Sequence, residues 1–253
     1  MIKLNFIFSF LFFCSTFQAQ INRVDYYVLT KNTIDTTNVR TFLLFNKNES
    51  IFIWNSKLNS ENNELKKGED GEVKFTKILN DTIGLRVHNL FASDSIKIID
   101  KILQVKFKFD EEKSIQWDII NESKFVGGYK CLKATTFFRG RRYIVWFTEE
   151  IPISSGPWKL NGLPGLILEA VDDKDEVSFK LKSIKSTTLK SISNLYDCFQ
   201  FEKTTLRKFI EKKDNYHKEN YKEIISKLPR GTNVEVLNFS TRNGIEKTFE
   251  WER

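Results

Sequence analysis

One short stretch, residues 156–170 (GPWKLNGLPGLILEA), constrains the fold of this chain more than any other. Gly156-Pro157 and Leu163-Pro164-Gly165 predict tight turns, because proline fixes φ, glycine permits positive φ, and the residue before a proline is pushed towards an extended conformation. The apolar run Leu166-Ile167-Leu168 then predicts a strand buried on both faces. We expect Gly165 to have a positive φ there. With Gly162, these glycines and prolines are expected to shape the backbone and not to contact a ligand.

The rest of the pattern is mainly of β type. Short runs of aromatic and branched residues alternate with polar turns. Residues 128–138 and 143–148, joined by Arg139-Gly140-Arg141-Arg142, predict a hairpin with a basic tip. Residues 204–228 have the period of an amphipathic helix, and a last strand is predicted at residues 245–251. The expected fold is therefore an antiparallel, strongly curved sheet or open barrel, partly filled by one long helix, with lipoprotein carriers as an analogy.

Residues 128–173 also resemble a known family. The hexapeptide Gly162-Leu163-Pro164-Gly165-Leu166-Ile167 and the preceding GYKCLKATTFFRGRRYIVWFTEEIPISSGPW resemble the GLPGLI family, secreted proteins of Bacteroidetes named after this hexapeptide. The resemblance is diffuse outside these residues. It implies an exported, β-rich protein. Because the family has no assigned activity, it implies no mechanism.

The first residues, MIKLNFIFSFLFFCSTFQAQ, predict a secretory signal peptide, since one lysine precedes an apolar run that is too short to be preferred as a membrane span. Removal of residues 1–19 would leave residues 20–253 as a single β-rich domain in the periplasm or cell envelope. Lipidation of Cys14 is less favoured, because bulky Phe13 stands where a small residue is needed. We expect no transmembrane segment in the mature chain.

Two cysteines, Cys131 and Cys198, would remain after cleavage. In an oxidising compartment they could form a disulfide, which would stabilise the fold by about 4 kcal/mol on the chain-entropy model. Two buried free thiols are an equal alternative.

Few side chains suit catalysis. His88 and His217 have no acid or nucleophile at motif spacing, and the sequence has no GxSxG, CxxC or HExxH motif. We therefore expect no metal and no cofactor. The remaining candidates are carboxylates, because glycoside hydrolysis needs two of them roughly 5 to 9 Å apart. They are Glu149, Glu150 and Glu169.

We accordingly favour a non-enzymatic envelope protein that binds a lipid, peptide or glycan ligand in the hollow of the sheet. The aromatic content of 14% and the lack of catalytic motifs support this interpretation. Trp158 is the expected platform and should then be partly accessible to solvent. Arg139, Arg141 and Arg142 would bind an anionic ligand or pair with Glu169. A glycan-acting hydrolase is the alternative. Despite the net charge of +7, export makes nucleic acid an unexpected partner.

Overall fold

A computed structural model describes residues 20–30, 39–56, 64–67, 73–76, 85–196, 200–226 and 244–252. This part of the chain contains fourteen β-strands, one α-helix and two short 3-10 helices, Ser193–Leu195 and Glu250–Glu252. The strands and the α-helix are β1 (Asn22–Thr30), β2 (Val39–Phe45), β3 (Glu49–Ser56), β4 (Glu64–Lys67), β5 (Val73–Thr76), β6 (Arg86–Leu90), β7 (Ser95–Ile102), β8 (Val105–Glu112), β9 (Asp118–Val126), β10 (Tyr129–Phe138), β11 (Arg141–Thr148), β12 (Leu166–Asp172), β13 (Val177–Ser186), β14 (Glu202–Lys203) and α1 (Leu206–Ser226).

Twelve of these strands form one sheet in the order β14-β8-β7-β6-β3-β2-β1-β13-β12-β11-β10-β9, while β4 and β5 form a separate pair. The fold is therefore mainly β with one α-helix in the described ranges, as predicted. The end strands β14 and β9 do not pair with each other, so the sheet is not closed. The expectation of a wholly antiparallel sheet is wrong at one edge, where β14 runs parallel to β8. A hairpin turn, which would make the pair antiparallel, does not join β8 to β14, because β9 to β13 lie between them in the chain.

One large hydrophobic core lies on one face of the sheet. Residues 151–165 lie against this face and contribute Leu160 and Leu163, both buried. Ile167 N donates to Ser155 O over 3.0 Å, which fixes the segment to β12. The helix enters the same core at the β8 end, where the Phe209 ring stacks on Phe109 with centroids 4.9 Å apart. The predicted filling therefore comes from a loop segment as well as from the helix.

A smaller core lies on the opposite face of β2 and β3. It contains Leu44 and Ile51, whereas their neighbours Leu43 and Phe52 belong to the large core. Alternation along a strand sends successive side chains to opposite faces, so these two strands are buried on both sides. Tyr196, next to the Ser193–Leu195 turn, helps to cover the smaller core.

The predicted hairpin and the predicted last strand had different outcomes. β10 and β11 pair as expected, but their turn is only Arg139-Gly140, with φ of 53° and 77°. Both values are positive, as a two-residue turn of type I′ requires. The expected strand over residues 245–251 is wrong. Residues 246–249 have no regular structure, and Glu250–Glu252 is a short 3-10 helix. The segment bonds to a turn and not to a strand, since Lys247 N donates to Arg139 O over 2.9 Å.

Three expectations concern membrane-spanning helices, the signal peptide and Cys198. No helix within the described ranges is long and apolar enough to cross a membrane. The predicted signal peptide, residues 1–19, and Cys198 lie outside the described residues.

Candidate functional site

Three of the four predicted ligand-binding residues meet at the β10–β11 turn. Arg139 forms the turn, Arg141 begins β11, and Trp158 comes from residues 151–165, with its ring centroid 5.6 Å from that of Phe138. All three are only 3% exposed. Arg142 alone is exposed, opposite Phe137. The basic tip expected from the sequence is therefore mostly buried, because a two-residue turn keeps Arg139 and Arg141 on the core side.

Trp158 is not the accessible platform that we expected. Its indole packs between Phe138 and Tyr143, with ring centroids 5.6 and 6.2 Å away. The cavity beside it is about 10 Å³, the size of a single water molecule. Trp158 is therefore a core residue and not an exposed surface.

Trp158 and Arg139 share an unusual backbone conformation. Their φ angles are 55° and 53°, in the left-handed region that bulky residues rarely adopt. Such residues cost roughly 1–3 kcal/mol each and persist only where their surroundings hold them. Lys247 N holds Arg139 through its carbonyl, and Leu160 N donates to Pro157 O over 3.2 Å around Trp158.

A nine-residue segment, residues 244–252, lies across this turn, and we call it the strap. Its Phe249 is buried, and the Arg139 guanidinium lies 4.6 Å from the centre of the Phe249 ring. Trp251 stacks on Phe249 at 4.8 Å. Gly140 makes room for the strap, since a Cβ there would lie 2.8 Å from the Thr248 hydroxyl.

The first of two ion clusters links the strap to Arg139 and Lys159. Arg139 Nη1 donates to Glu250 over 2.8 Å, and its Nη2 donates to Glu111 on β8. Lys159 Nζ donates to Glu111 and to Glu246, each over 2.7 Å. Two buried cations and one buried carboxylate of the body thus meet two carboxylates of the strap.

The second cluster is built around Arg141. Its Nη1 donates to Asp172 on β12 and, over 2.7 Å, to Glu176. Its remaining donors bind main-chain carbonyls of the strap: Nε reaches Ile245 O over 2.8 Å and Nη2 reaches Gly244 O over 2.9 Å. Lys247 Nζ donates back to Glu176 over 2.6 Å. Arg141 therefore recognises the strap by its backbone as well as by charge.

The electrostatics favour the charged forms of Lys159, Glu246 and Glu176. Burial alone would lower the pKa of Lys159, but Glu111 and Glu246 outweigh burial and raise it. Burial likewise favours the neutral acid at Glu246, yet Lys159 and Arg139 lower its pKa. Hydrogen bonds from Lys247 and Arg141 lower the pKa of Glu176 to about 2. A protonated Lys159 is neither a nucleophile nor a general base.

The three candidate carboxylates lie away from the strap. Glu149 and Glu150 are exposed in the turn after β11, where Glu150 accepts a bond from Lys130 N over 2.8 Å. Glu169 on β12 pairs with Lys124 on β9. Glu169 therefore pairs with neither Arg139 nor Arg141, because those two arginines face the strap, whereas Arg142 is exposed. A hydrolytic role for these glutamates stays a prediction.

Glycines of the central stretch are needed mainly because neighbouring atoms lie too close for a side chain, and less because of unusual dihedral angles. Gly162 has φ of 99°, but Gly165 does not have a positive φ, so that expectation is wrong. A Cβ on Gly165 would lie 2.1 Å from the carbonyl oxygen of Thr148, and one on Gly156 would lie 2.7 Å from the Ile167 Cβ. Between these glycines, Pro157, Leu163 and Pro164 lead the chain to Leu166 and Ile167, which are fully buried.

Cys131 lies on β10, and its thiol is buried. Burial, followed by the nearby Glu169 carboxylate, raises the pKa of this thiol to about 11. Its proposed bond to Cys198 stays a prediction, because Cys198 lies outside the described residues.

Sequence reasoning missed Glu111, Lys159, Asp172 and the strap. One signal was present for Glu111, because it continues the inward series Phe107, Phe109 along β8. Lys159 stands between two buried apolar residues, which predicts a partner for its charge. No local pattern indicated which distant segment supplies that partner.

Comparison with known proteins adds a family match and a fold. Residues 140–169, which include Arg141, Trp158 and Lys159, match the model of a family described as "Protein of unknown function (Porph_ging)". No curated protein matches the chain by sequence. PNGF-II in space group P21 is similar with a TM-score of 0.56 and 14% identity, over 76% of this chain and 33% of that chain. In space group C2 the TM-score is 0.55, with 14% identity over 76% and 32% of the two chains.

This chain thus spans about a third of the length of PNGF-II. At 14% identity the likeness shows the fold alone.

Proposed function

We propose that this protein is a non-enzymatic peptide-binding protein of the cell envelope. Its binding site is the cleft formed by Arg139, Arg141 and Lys159, and the strap is an internal occupant of that cleft. Of the three ligand classes considered from the sequence, a peptide is the class that this geometry supports. The ligand would be an extended segment with carboxylates around one aromatic residue.

The observation that carries the proposal is how the body of the protein holds the strap. Arg141 donates to two successive main-chain carbonyls, which is recognition of a backbone and not of a particular side chain. Arg139 covers the buried Phe249 ring and also binds Glu250. Backbone bonds, one buried aromatic anchor and charge-assisted bonds are the elements by which proteins bind peptides in extended form.

We propose that the sheet curves strongly enough to bring β8 and the β10–β11 turn together, and that this curvature creates the cleft. β8 and β11 are eight positions apart in the sheet, which is roughly 38 Å in a flat sheet at about 4.8 Å per strand. Arg139, next to β11, nevertheless forms an ion pair with Glu111 on β8. This contact supports the strongly curved sheet that the sequence predicts.

Family and compartment are part of the same proposal. The GLPGLI hexapeptide, residues 162–167, lies inside the stretch that matches the family model, which supports membership of the GLPGLI family. The signal-peptide pattern of residues 1–19 supports export to the periplasm or cell envelope.

Added peptide tests the proposal by competing with the strap. A fluorescein-labelled peptide GIEKTFEWE, the sequence of residues 244–252, is titrated with the full-length protein and followed by fluorescence anisotropy. Phe249→Ala removes the buried anchor of the protein's own strap, so it should bind the peptide at least about 10-fold more tightly than the wild type, equivalent to 1.4 kcal/mol.

Two controls separate the cleft from adventitious binding. Adding Arg141→Lys to Phe249→Ala keeps a charge for Asp172 but loses the planar fork, so the affinity should fall by about 10-fold or more. The peptide GIEKTAEWE, without its aromatic anchor, should bind as weakly. If Phe249→Ala melts cooperatively and yet binds the peptide no better than the wild type, the strap is only structural and the proposal is wrong.

A further inference from the structure

The strand β9 ends the large sheet on the side opposite to β14. Among the described strands it pairs only with β10, and a register shift leaves no β10 residue directly opposite Asn121 and Glu122. Nine residues make a long edge strand, and an unpaired edge is a template for another strand. β9 is therefore the part of the sheet that is open to a partner.

Two large apolar side chains on β9 are uncovered. Phe125 is 75% exposed and Ile119 is 55% exposed. Their partners on β10 are Lys130 and Ala134, and directly paired residues share a face, so Ile119 and Phe125 lie on the same face of the strand. They are six residues apart, too far to cover each other. A second strand could cover both.

The charges on the other face of β9 alternate in sign. Glu122 binds Lys133 over 2.9 Å, and Lys124 binds Glu169. In an antiparallel pair of two β9 strands centred on Ser123, Glu122 of each copy lies opposite Lys124 of the other. The four charges then form a continuous series, Lys133, Glu122, Lys124 and Glu169, repeated twice about the axis. Opposite charges directly across a strand pair are stabilising.

The same register also pairs the apolar residues. Phe125 lies opposite Asn121 of the second copy and diagonal to Ile119 of that copy, within the reach of an aromatic ring. The most exposed apolar side chains of β9 thus meet across the symmetry axis. The charged pairs and the apolar contacts therefore favour the same register, the one centred on Ser123.

We propose that two copies of this chain associate through β9, in an antiparallel pair centred on Ser123. The dimer joins two twelve-stranded sheets into one and leaves the peptide cleft of each copy free. It is independent of the proposed peptide binding. Because a single strand pair buries a small interface, the affinity should be in the micromolar range.

Sedimentation velocity over a concentration series on the order of 1–500 µM tests the dimer. The wild type should shift from monomer to dimer. Glu122→Lys places lysine opposite Lys124, and Lys124→Glu places glutamate opposite Glu122, so each variant alone should remain monomeric. An equimolar mixture of the two should form a heterodimer, because every cross-strand pair then has opposite charges.

Three further measurements complete the test. Phe125→Ser should weaken the dimer by about 10-fold or more through lost apolar contact. Glu149→Lys, the same charge change at an exposed glutamate outside β9, should leave the dimer unchanged. Cooperative thermal melts show that each variant is folded. A wild type that stays monomeric, single charge variants that still dimerise, or a mixture that does not associate would each overturn the proposal.

Discussion

Substitution of Gly165 by alanine tests how the central stretch is built. The added Cβ would lie 2.1 Å from the carbonyl oxygen of Thr148 and 2.6 Å from its carbonyl carbon. Ordinary contact begins at 3.4 Å, so the two backbones must separate by about 1.3 Å, and no rotamer can relieve a clash between main-chain atoms. The clash falls where β12 begins to pair with β11.

The magnitude follows from this geometry. Overpacking in a buried site costs roughly 1–3 kcal/mol. The forced separation also stretches the bond from Leu166 N to Ile151 O, now 3.0 Å, and disturbs the Tyr26 hydroxyl, which donates to Ile167 O over 2.8 Å. Each such bond contributes about 1 kcal/mol. We therefore expect a loss of about 3–5 kcal/mol, which lowers Tm by at least about 6 °C for a protein of this size.

Differential scanning calorimetry of three variants separates the two explanations for Gly165. Gly128 has φ of 90° and open space around it, so Gly128→Ala should cost only the strain of the dihedral angle, about 1 kcal/mol. Gly244→Ala, with open space and no positive φ, should change stability by less than about 0.5 kcal/mol. If Gly165→Ala lowers Tm no more than Gly128→Ala does, the argument from close approach is refuted.

Three other predictions concern the buried charges and the thiol. Lys159→Met should lower the free energy of unfolding by about 3 kcal/mol or more, because Glu111 and Glu246 lose their shared cation. Urea unfolding measures this loss. An equal loss for Lys208→Met, at an exposed lysine, would contradict the prediction. The pKa of Glu176 is lowered in the folded state, so its contribution is complete above pH 4.5 and is lost as the pH falls towards 2. Trp251 fluorescence, taken as the difference from Trp251→Phe, should report release of the strap in that range, and a constant signal would show that Glu176 does not hold it. Cys131 should react with iodoacetamide only after unfolding, without reductant; if mass spectrometry finds Cys131 unmodified until reductant is added, it is in a disulfide.

Local patterns in the sequence predicted the local structure well. Leu166, Ile167 and Leu168 are fully buried, as an uninterrupted apolar run indicates. The hairpin of β10 and β11 and the helix α1 also form where their periods place them. These features depend on residues that are close in sequence, which is why sequence reasoning can find them.

The arrangement around the strap depends on residues that are far apart in the chain. Arg139 and Glu250 are separated by 111 positions, and Arg141 and Asp172 by 31. An arginine in a predicted turn looks solvent-exposed, because nothing in its neighbourhood reveals a carboxylate that arrives from another segment. The strand predicted at residues 245–251 is wrong for the same reason. Its Phe249 is buried beneath the Arg139 guanidinium, and the segment does not pair in the sheet.

These failed expectations converge on one place. Trp158 was expected to be accessible, Arg139 and Arg141 to be exposed, and residues 245–251 to be a strand. Residues 245–251 instead form the strap, Arg139 and Arg141 bind it, and Trp158 packs on the neighbouring Phe138. Trp158 also carries an unfavourable φ there, as Leu103 and Asp175 do elsewhere, whereas the positive φ of Arg139 is the one that its two-residue turn requires. A sequence selected only for stability would agree with its local preferences, and departures concentrate where a site imposes other demands. That concentration is a physical reason, separate from the contacts themselves, to test this cleft first for peptide binding.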